Sequence, residues 1–167
     1  MVRRVKKAAQ DGEDGAKRTA VSLLAYKENT KKELFDKLTE RGYTAEEAGS
    51  AVAFAVEKKY LDEERYYKRF VENCANVRLL GKRRILQELR LKKFARETVE
   101  AYAEETFAKI DFEENCYAAL RKFGRGDVRK AAAMLMRRGY GQSEIRAACV
   151  RYAAEESEET DGGETRV

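Results

Sequence analysis

Apolar residues recur along this chain at intervals of three and four, the spacing that gathers them on one face of an α-helix, and no segment reads as a strand. Ala20, Leu23 and Leu24 open a first face, Leu34, Phe35 and Leu38 a second, and Ala48, Ala51, Val52, Ala55 and Val56 a third. The boundaries between these faces are marked chemically. Thr30-Lys31-Lys32-Glu33 and Thr44-Ala45-Glu46-Glu47 both read Thr-x-x-Glu, a capping box in which a hydroxyl and a carboxylate satisfy amides that the first helical turn leaves without partners. Between them Gly42 supplies a left-handed residue that stops a helix, and Tyr43 can fold back on the preceding turn.

The pattern then repeats. Asp62 caps a helix whose apolar face is Tyr66, Phe70, Cys74 and Val77; Gly81 opens another with Ile85, Leu86 and Leu89; Val99, Tyr102 and Ala103 mark a third. Phe112, Cys116, Ala119, Leu120 and Phe123 begin a last set, followed by Asp127 as a cap, by Met134 and Leu135, and by Gly139. Leu38, Gly42 and Tyr43 share a frame with Leu135, Gly139 and Tyr140, and Leu89, Lys93 and Phe94 are a degenerate copy between them. Eight residues before each leucine stand Thr30, Gly81 and Asp127, and ten after stand Ala48, Val99 and Ile145. Such self-similarity marks stacked helical units. The chain therefore reads as all-α, an elongated array of three tandem three-helix repeats. A mobile arm spans 1–17, modules span 18–60, 61–108 and 109–154, and an acidic disordered tail spans 155–167. Lys93 replaces the turn glycine; since a left-handed lysine is strained by about 1 kcal/mol, this turn is expected to be wider. The alanines at 131, 132 and 133 predict close packing against a neighbouring helix.

Composition agrees. Proline is absent, so nothing interrupts helix throughout. No apolar run is long enough for a membrane span, and the expectation is a cytoplasmic monomer without cofactor or metal. Histidine is also absent, which removes the usual general base and the commonest metal ligand. Cys74, Cys116 and Cys149 lie far apart among apolar residues and read as small buried thiols. Asp62, Glu63 and Glu64 are carboxylates of a helix's first turn, placed there by the helix dipole rather than for catalysis. Tyr66 fits the apolar period, whereas Tyr67 falls on the exposed side. Gly124-Arg125-Gly126 is too short for a phosphate loop and reads as an inter-helix turn.

Charge is uneven. Residues 155–167 hold six acids and one arginine, so the formal +5 of the chain is +10 over its first 154 residues and −5 over its tail. The densest basic stretch carries Arg78, Lys82, Arg83, Arg84, Arg90, Lys92 and Lys93 against the single acid Glu88. Because Ile85, Leu86 and Leu89 face inward, these cations form a basic ridge on the central module. Arg121, Lys122, Arg125, Arg129, Lys130, Arg137 and Arg138 repeat the theme in the third module. A solvated face would account for either cluster alone; both together point to an anionic partner or a protein with acidic patches.

The run YLDEERYYKRFVENCANVRLLGKRRILQELRLKKF, residues 60–94, resembles the signature segment of the RecX family, regulators of the bacterial recombinase RecA. ELFDKLTERGY at 33–43 resembles the family's first module, and RKFG at 121–124 with RRGY at 137–140 its third; Lys93 departs from the family's usual glycine. The resemblance implies a non-enzymatic protein that binds RecA and its filament on single-stranded DNA. It would dock along the filament groove, limit extension or stability, and inhibit recombinase, ATPase and coprotease activity in the SOS response, DNA repair and recombination. Arg78, Lys82, Arg83, Arg84, Arg90, Lys92 and Lys93 are the expected central contacts, with Arg129, Arg137 and Arg138 a second set. Weak non-specific DNA binding would accompany them. Two other readings stay open: a helix-turn-helix DNA-binding protein, and a passive helical-repeat scaffold.

Overall fold

The structure is a computed structural model that describes residues 12–124 and 127–161. Among these residues there are nine α-helices and no strand: α1 Gly12–Tyr26, α2 Lys31–Thr39, α3 Ala45–Glu57, α4 Glu63–Glu72, α5 Lys82–Leu91, α6 Arg96–Ala108, α7 Phe112–Phe123, α8 Val128–Arg137 and α9 Gln142–Asp161. A π-helical turn, Asn73–Val77, continues α4. Among the described residues no helix is long and apolar enough to cross a membrane. The chain forms two compact units, residues 1–68 with 89–102 and residues 69–88 with 103–167, so α4, α5 and α6 each contribute to both.

In the first unit α1 packs chiefly on α3 through small residues: Ala16 and Ala20 on one side, Ala48, Ala51 and Ala55 on the other, all fully buried. Side chains this small let two helix backbones approach closely. Leu34, Leu38 and Leu61 complete the core. Helix α1 starts at Gly12, not after the arm expected through residue 17, because Gly15 and Ala16 extend the buried stripe upstream and Glu13 and Asp14 suit the first turn. The rest of that arm, residues 1–11, lies outside the described residues. Both capping boxes form: the Thr30 hydroxyl accepts from the Glu33 amide at 3.1 Å, the Thr44 hydroxyl from that of Glu47 at 3.2 Å, and each glutamate carboxylate accepts from its threonine's amide.

Helix α3 ends at Lys59, φ 57°, where the Tyr60 amide donates to the Ala55 carbonyl at 2.9 Å, and three further helices end on the same turn. Gly42, Lys93 and Gly139 take φ of 98°, 58° and 92°. The next residue donates its amide back across the turn, Tyr43 to the Leu38 carbonyl at 3.3 Å, Phe94 to Leu89 and Tyr140 to Leu135 at 3.2 Å each, the bond of a Schellman motif. The turn at Lys93 is therefore not wider, as its side chain had suggested. Its neighbours hold it: the Phe94 ring lies 5.2 Å from that of Tyr66 and 5.7 Å, edge-on, from that of Tyr67. The Lys93 ammonium reaches Asp36 at 2.5 Å. Tyr67 itself is fully buried, not exposed, because Phe94 and Tyr102 both pack against its ring.

The second unit has its core between α7 and α9, where Cys116, Ala119, Leu120, Leu135, Tyr140, Ile145 and Ala148 are buried with Leu79. Of the three alanines of α8, only Ala131 is buried. The π turn alters the face expected of α4. Each of its residues advances by less than the 100° of an α-helix, so the three-and-four spacing fails there: Cys74 and Ala75 are buried while Val77 is 64% exposed. Helix α9 carries the acidic residues on to Asp161, where disorder from 155 was expected. The Tyr117 hydroxyl donates to the Glu155 carboxylate, and Arg151 Nε donates to it at 3.2 Å, tying that end onto α7. Residues 162–167 lie outside the described residues, as do Arg125 and Gly126.

Candidate partner-binding surface

Four of the expected basic contacts converge in the second unit where two glycines cross. A Cβ on Gly81 would lie 2.4 Å from the Gly139 carbonyl carbon and from the Tyr140 amide nitrogen, so only glycine fits. Across this contact the Gly81 amide donates to the Arg138 carbonyl at 2.8 Å and the Arg83 amide to the Gly139 carbonyl at 3.3 Å. The arginines then close over it. Arg138 donates to the carbonyls of Arg78 and Leu79, the latter at 3.0 Å, with its guanidinium 4.2 Å above the Phe123 ring centroid. Arg83 donates to the Tyr140 carbonyl. Arg78 and Arg84 both pair with Glu88, at 3.0 and 2.9 Å. Burial works to raise the Glu88 carboxyl, yet the two guanidiniums outweigh it and hold the group below its ordinary value. Lys82 lies over the Phe107 ring at 5.2 Å and stays exposed.

In the first unit Lys92 and Lys93 are also engaged. The Lys92 ammonium is 3.3 Å from Glu33, and its carbonyl accepts from the Thr30 hydroxyl at 3.2 Å, fixing this turn to the start of α2. Lys93 shares Asp36 with Lys32. Glu63 carries more than a first-turn charge: it is 6% exposed and accepts from the Lys31 amide at 2.8 Å and the Thr98 hydroxyl at 3.1 Å. Nothing in its local sequence separates it from Asp62 or Glu64, since both partners come from distant segments.

Three of the ten expected contacts remain: Arg90, Arg129 and Arg137 are exposed, and their guanidiniums meet no partner among the described residues. Each adjoins an exposed apolar residue in the sequence, Leu91 at 73%, Val128 at 66% and Met136 at 50%. Arginine beside exposed aliphatic or thioether groups is the composition of a protein interface; phosphates would need only the charge. The sequence shows the arginines, but only the structure separates these three from the seven that are occupied. Of the three thiols expected to be buried, Cys74 and Cys116 are, with burial pushing the Cys116 thiol up to about 12, whereas Cys149 is only half-buried. No metal-holding cluster occurs among the described residues.

Comparison with known proteins is consistent along the chain. Residues 16–54 match the family model for the first three-helix domain of RecX, and residues 62–102 match that for its second. Regulatory protein RecX of Vibrio vulnificus is 34% identical over 78% of this chain and 88% of its own length. The Halorhodospira halophila protein of the same name is 35% identical over 84% of this chain and 88% of its own. In structure, RecX from Lactobacillus salivarius superposes with a TM-score of 0.65, covering 83% of this chain and 95% of that one at 16% identity.

Proposed function

This chain belongs to the RecX family of regulatory proteins, and we propose that it acts in the cytoplasm by binding RecA and RecA filaments on single-stranded DNA. It limits filament extension or stability and thereby inhibits recombinase, ATPase and coprotease activity, itself catalysing nothing. The observation that carries the choice of a protein partner is the pairing of unoccupied arginines with exposed apolar neighbours at Arg90-Leu91, Val128-Arg129 and Met136-Arg137. Of the ten basic residues expected to bind, we assign first contact to Arg90, Arg129 and Arg137. Arg78, Arg83, Arg84 and Arg138 hold the second unit together, and reversing their charge would disturb the fold along with any interface.

The test is RecA filament length on single-stranded DNA, followed by microscopy with the wild-type chain and with the triple variant Arg90→Glu, Arg129→Glu, Arg137→Glu. Wild type should shorten the filaments, and the variant should need at least about tenfold more protein for the same effect, a loss of roughly 1.4 kcal/mol. A wild-type chain without effect on length or lifetime removes the RecA reading. Equal potency in a variant with wild-type circular dichroism removes the arginine assignment alone.

A further inference from the structure

On the first unit a groove of about 520 Å³ opens between the start of α2, the middle of α3 and the turn after α5. Its floor is apolar, with Phe35, Val52 and Phe94, and its rim carries Lys31, Lys32 and Lys93. Gly49 lines it from α3. Glycine is among the poorest residues for a helix interior, and an element usually tolerates it where a neighbour leaves no room for a side chain. Here the reverse holds: a Cβ built on Gly49 meets nothing within 4 Å. The fold gains nothing from this glycine. What its missing side chain preserves is the open space of the groove.

The rim sets the chemistry of the occupant. The three lysine side chains are 53%, 60% and 52% exposed, while the carboxylates that answer them, Glu63 and Asp36, are drawn inward at 4% and 24%. Glu63 is further committed to the Lys31 amide and the Thr98 hydroxyl. The face turned to solvent is therefore cationic around an apolar centre. A nucleic-acid base would leave its polar edges without partners on that floor, whereas an aromatic or branched aliphatic side chain would not. We propose that this groove is a docking site for an acidic peptide segment of a protein partner, which inserts one aromatic or aliphatic side chain beside Gly49 and sets its carboxylates against Lys31, Lys32 and Lys93. The proposal does not depend on RecA being that partner.

The probe is a fluorescein-labelled peptide, Gly-Glu-Asp-Phe-Glu-Asp-Gly, titrated with the full chain and read by fluorescence anisotropy. Wild type should bind it saturably below about 1 mM. Gly49→Leu, which fills the groove, and Lys32→Glu, an exposed rim change, should each weaken binding at least about tenfold. Gly49→Ala should raise the melting temperature by about 1–4 °C, because the new methyl meets no obstacle and favours the helix. Absence of saturable binding overturns the proposal, as does wild-type affinity in a folded Gly49→Leu or Lys32→Glu chain. Stronger displacement of the peptide by a twelve-nucleotide single strand than by unlabelled peptide overturns it also, in favour of a nucleic acid. A Gly49→Ala chain that melts below wild type would show that the fold itself needs the glycine, and would remove the argument from open space.

Discussion

Gly81→Ala should be among the most damaging single-methyl additions to this chain. The new Cβ would sit at 2.4 Å from two backbone atoms and 2.5 Å from a third, the Gly139 oxygen, all on the opposing turn. Backbone has no rotamer to vacate, so relief requires α5 and the Gly139 turn to separate by about 1 Å before ordinary contact is restored. That displacement takes the Gly81-to-Arg138 bond, now 2.8 Å, and the Arg83-to-Gly139 bond, now 3.3 Å, beyond hydrogen-bonding range. The Arg138 bond to the Leu79 carbonyl is strained with them. At a net 0.5–1.5 kcal/mol each, three such bonds amount to about 2–4 kcal/mol. This is a large share of the roughly 5–15 kcal/mol typical of a folded domain. Urea unfolding by circular dichroism should show a midpoint lower by about 1–2 M, given slopes of about 1–3 kcal/mol/M. Gly139→Ala should do at least as much, because its Cβ would meet the Arg84 amide nitrogen at 2.4 Å and its φ is 92°. A Gly81→Ala midpoint within about 0.3 M of wild type would refute the close crossing.

Other perturbations have signs set by single groups. At residue 93, alanine and glycine both lose the Asp36 ion pair, but glycine alone accepts φ of 58° without strain; Lys93→Gly should exceed Lys93→Ala by on the order of 1 kcal/mol in urea unfolding, and the opposite order would refute a left-handed residue there. The Asp36 carboxyl is held low by hydrogen bonds from Lys32 and then Lys93, and Glu88 by Arg78 and Arg84 against its burial. Groups depressed in the folded state stabilise it above their unfolded values, near 4, and lose that contribution as pH falls through the folded ones. Comparing urea midpoints at pH 7 and pH 3, the double variant Asp36→Asn, Glu88→Gln should lose less than wild type; an equal loss would place the acid sensitivity elsewhere. The Tyr140 hydroxyl is buried without a hydrogen-bond partner among the described residues, so Tyr140→Phe should be neutral or stabilising by up to about 1 kcal/mol in thermal melts, and a clear destabilisation would show that the hydroxyl is satisfied.

What the sequence reveals here is whatever is decided within about one helical turn. Thr30, Thr44, Asp62 and Asp127 cap the helices they precede because each bond spans two or three residues. Gly42 and Gly139 end theirs with positive φ for the same local reason. The pairing of Arg84 with Glu88 also lies in the pattern, four residues apart on α5. Lys93 is different: its conformation is imposed by where Phe94 must go, and that depends on Tyr66 and Tyr67. The density of positive charge is equally visible, but its availability is not. Arg83 and Arg138 are spent on backbone carbonyls 57 to 60 residues away, and a carbonyl acceptor leaves no mark on the side-chain sequence. Glu63 escapes notice likewise, because the amide it accepts from belongs to Lys31.

The π turn after α4 makes side-chain identity at its two buried positions matter more than chain length at Asn73–Val77. Such a turn holds one residue more than the α-helical turn it replaces. Five residues at π spacing and four at α spacing turn the backbone through nearly the same angle, so deleting the exposed Val77 would restore an unbroken helical ladder and leave the downstream chain close to its present direction. Leu79, set at φ 51° and buried in the core of the second unit, would then still be directed at the space it fills. Asn73 and Val77, both exposed, can change their side chains with little consequence for that core. In natural or engineered libraries, this stretch should tolerate the loss of one exposed residue and reject larger side chains at the fully buried Cys74 and Ala75, the opposite of the intolerance to deletion that a helix interior ordinarily leads one to expect.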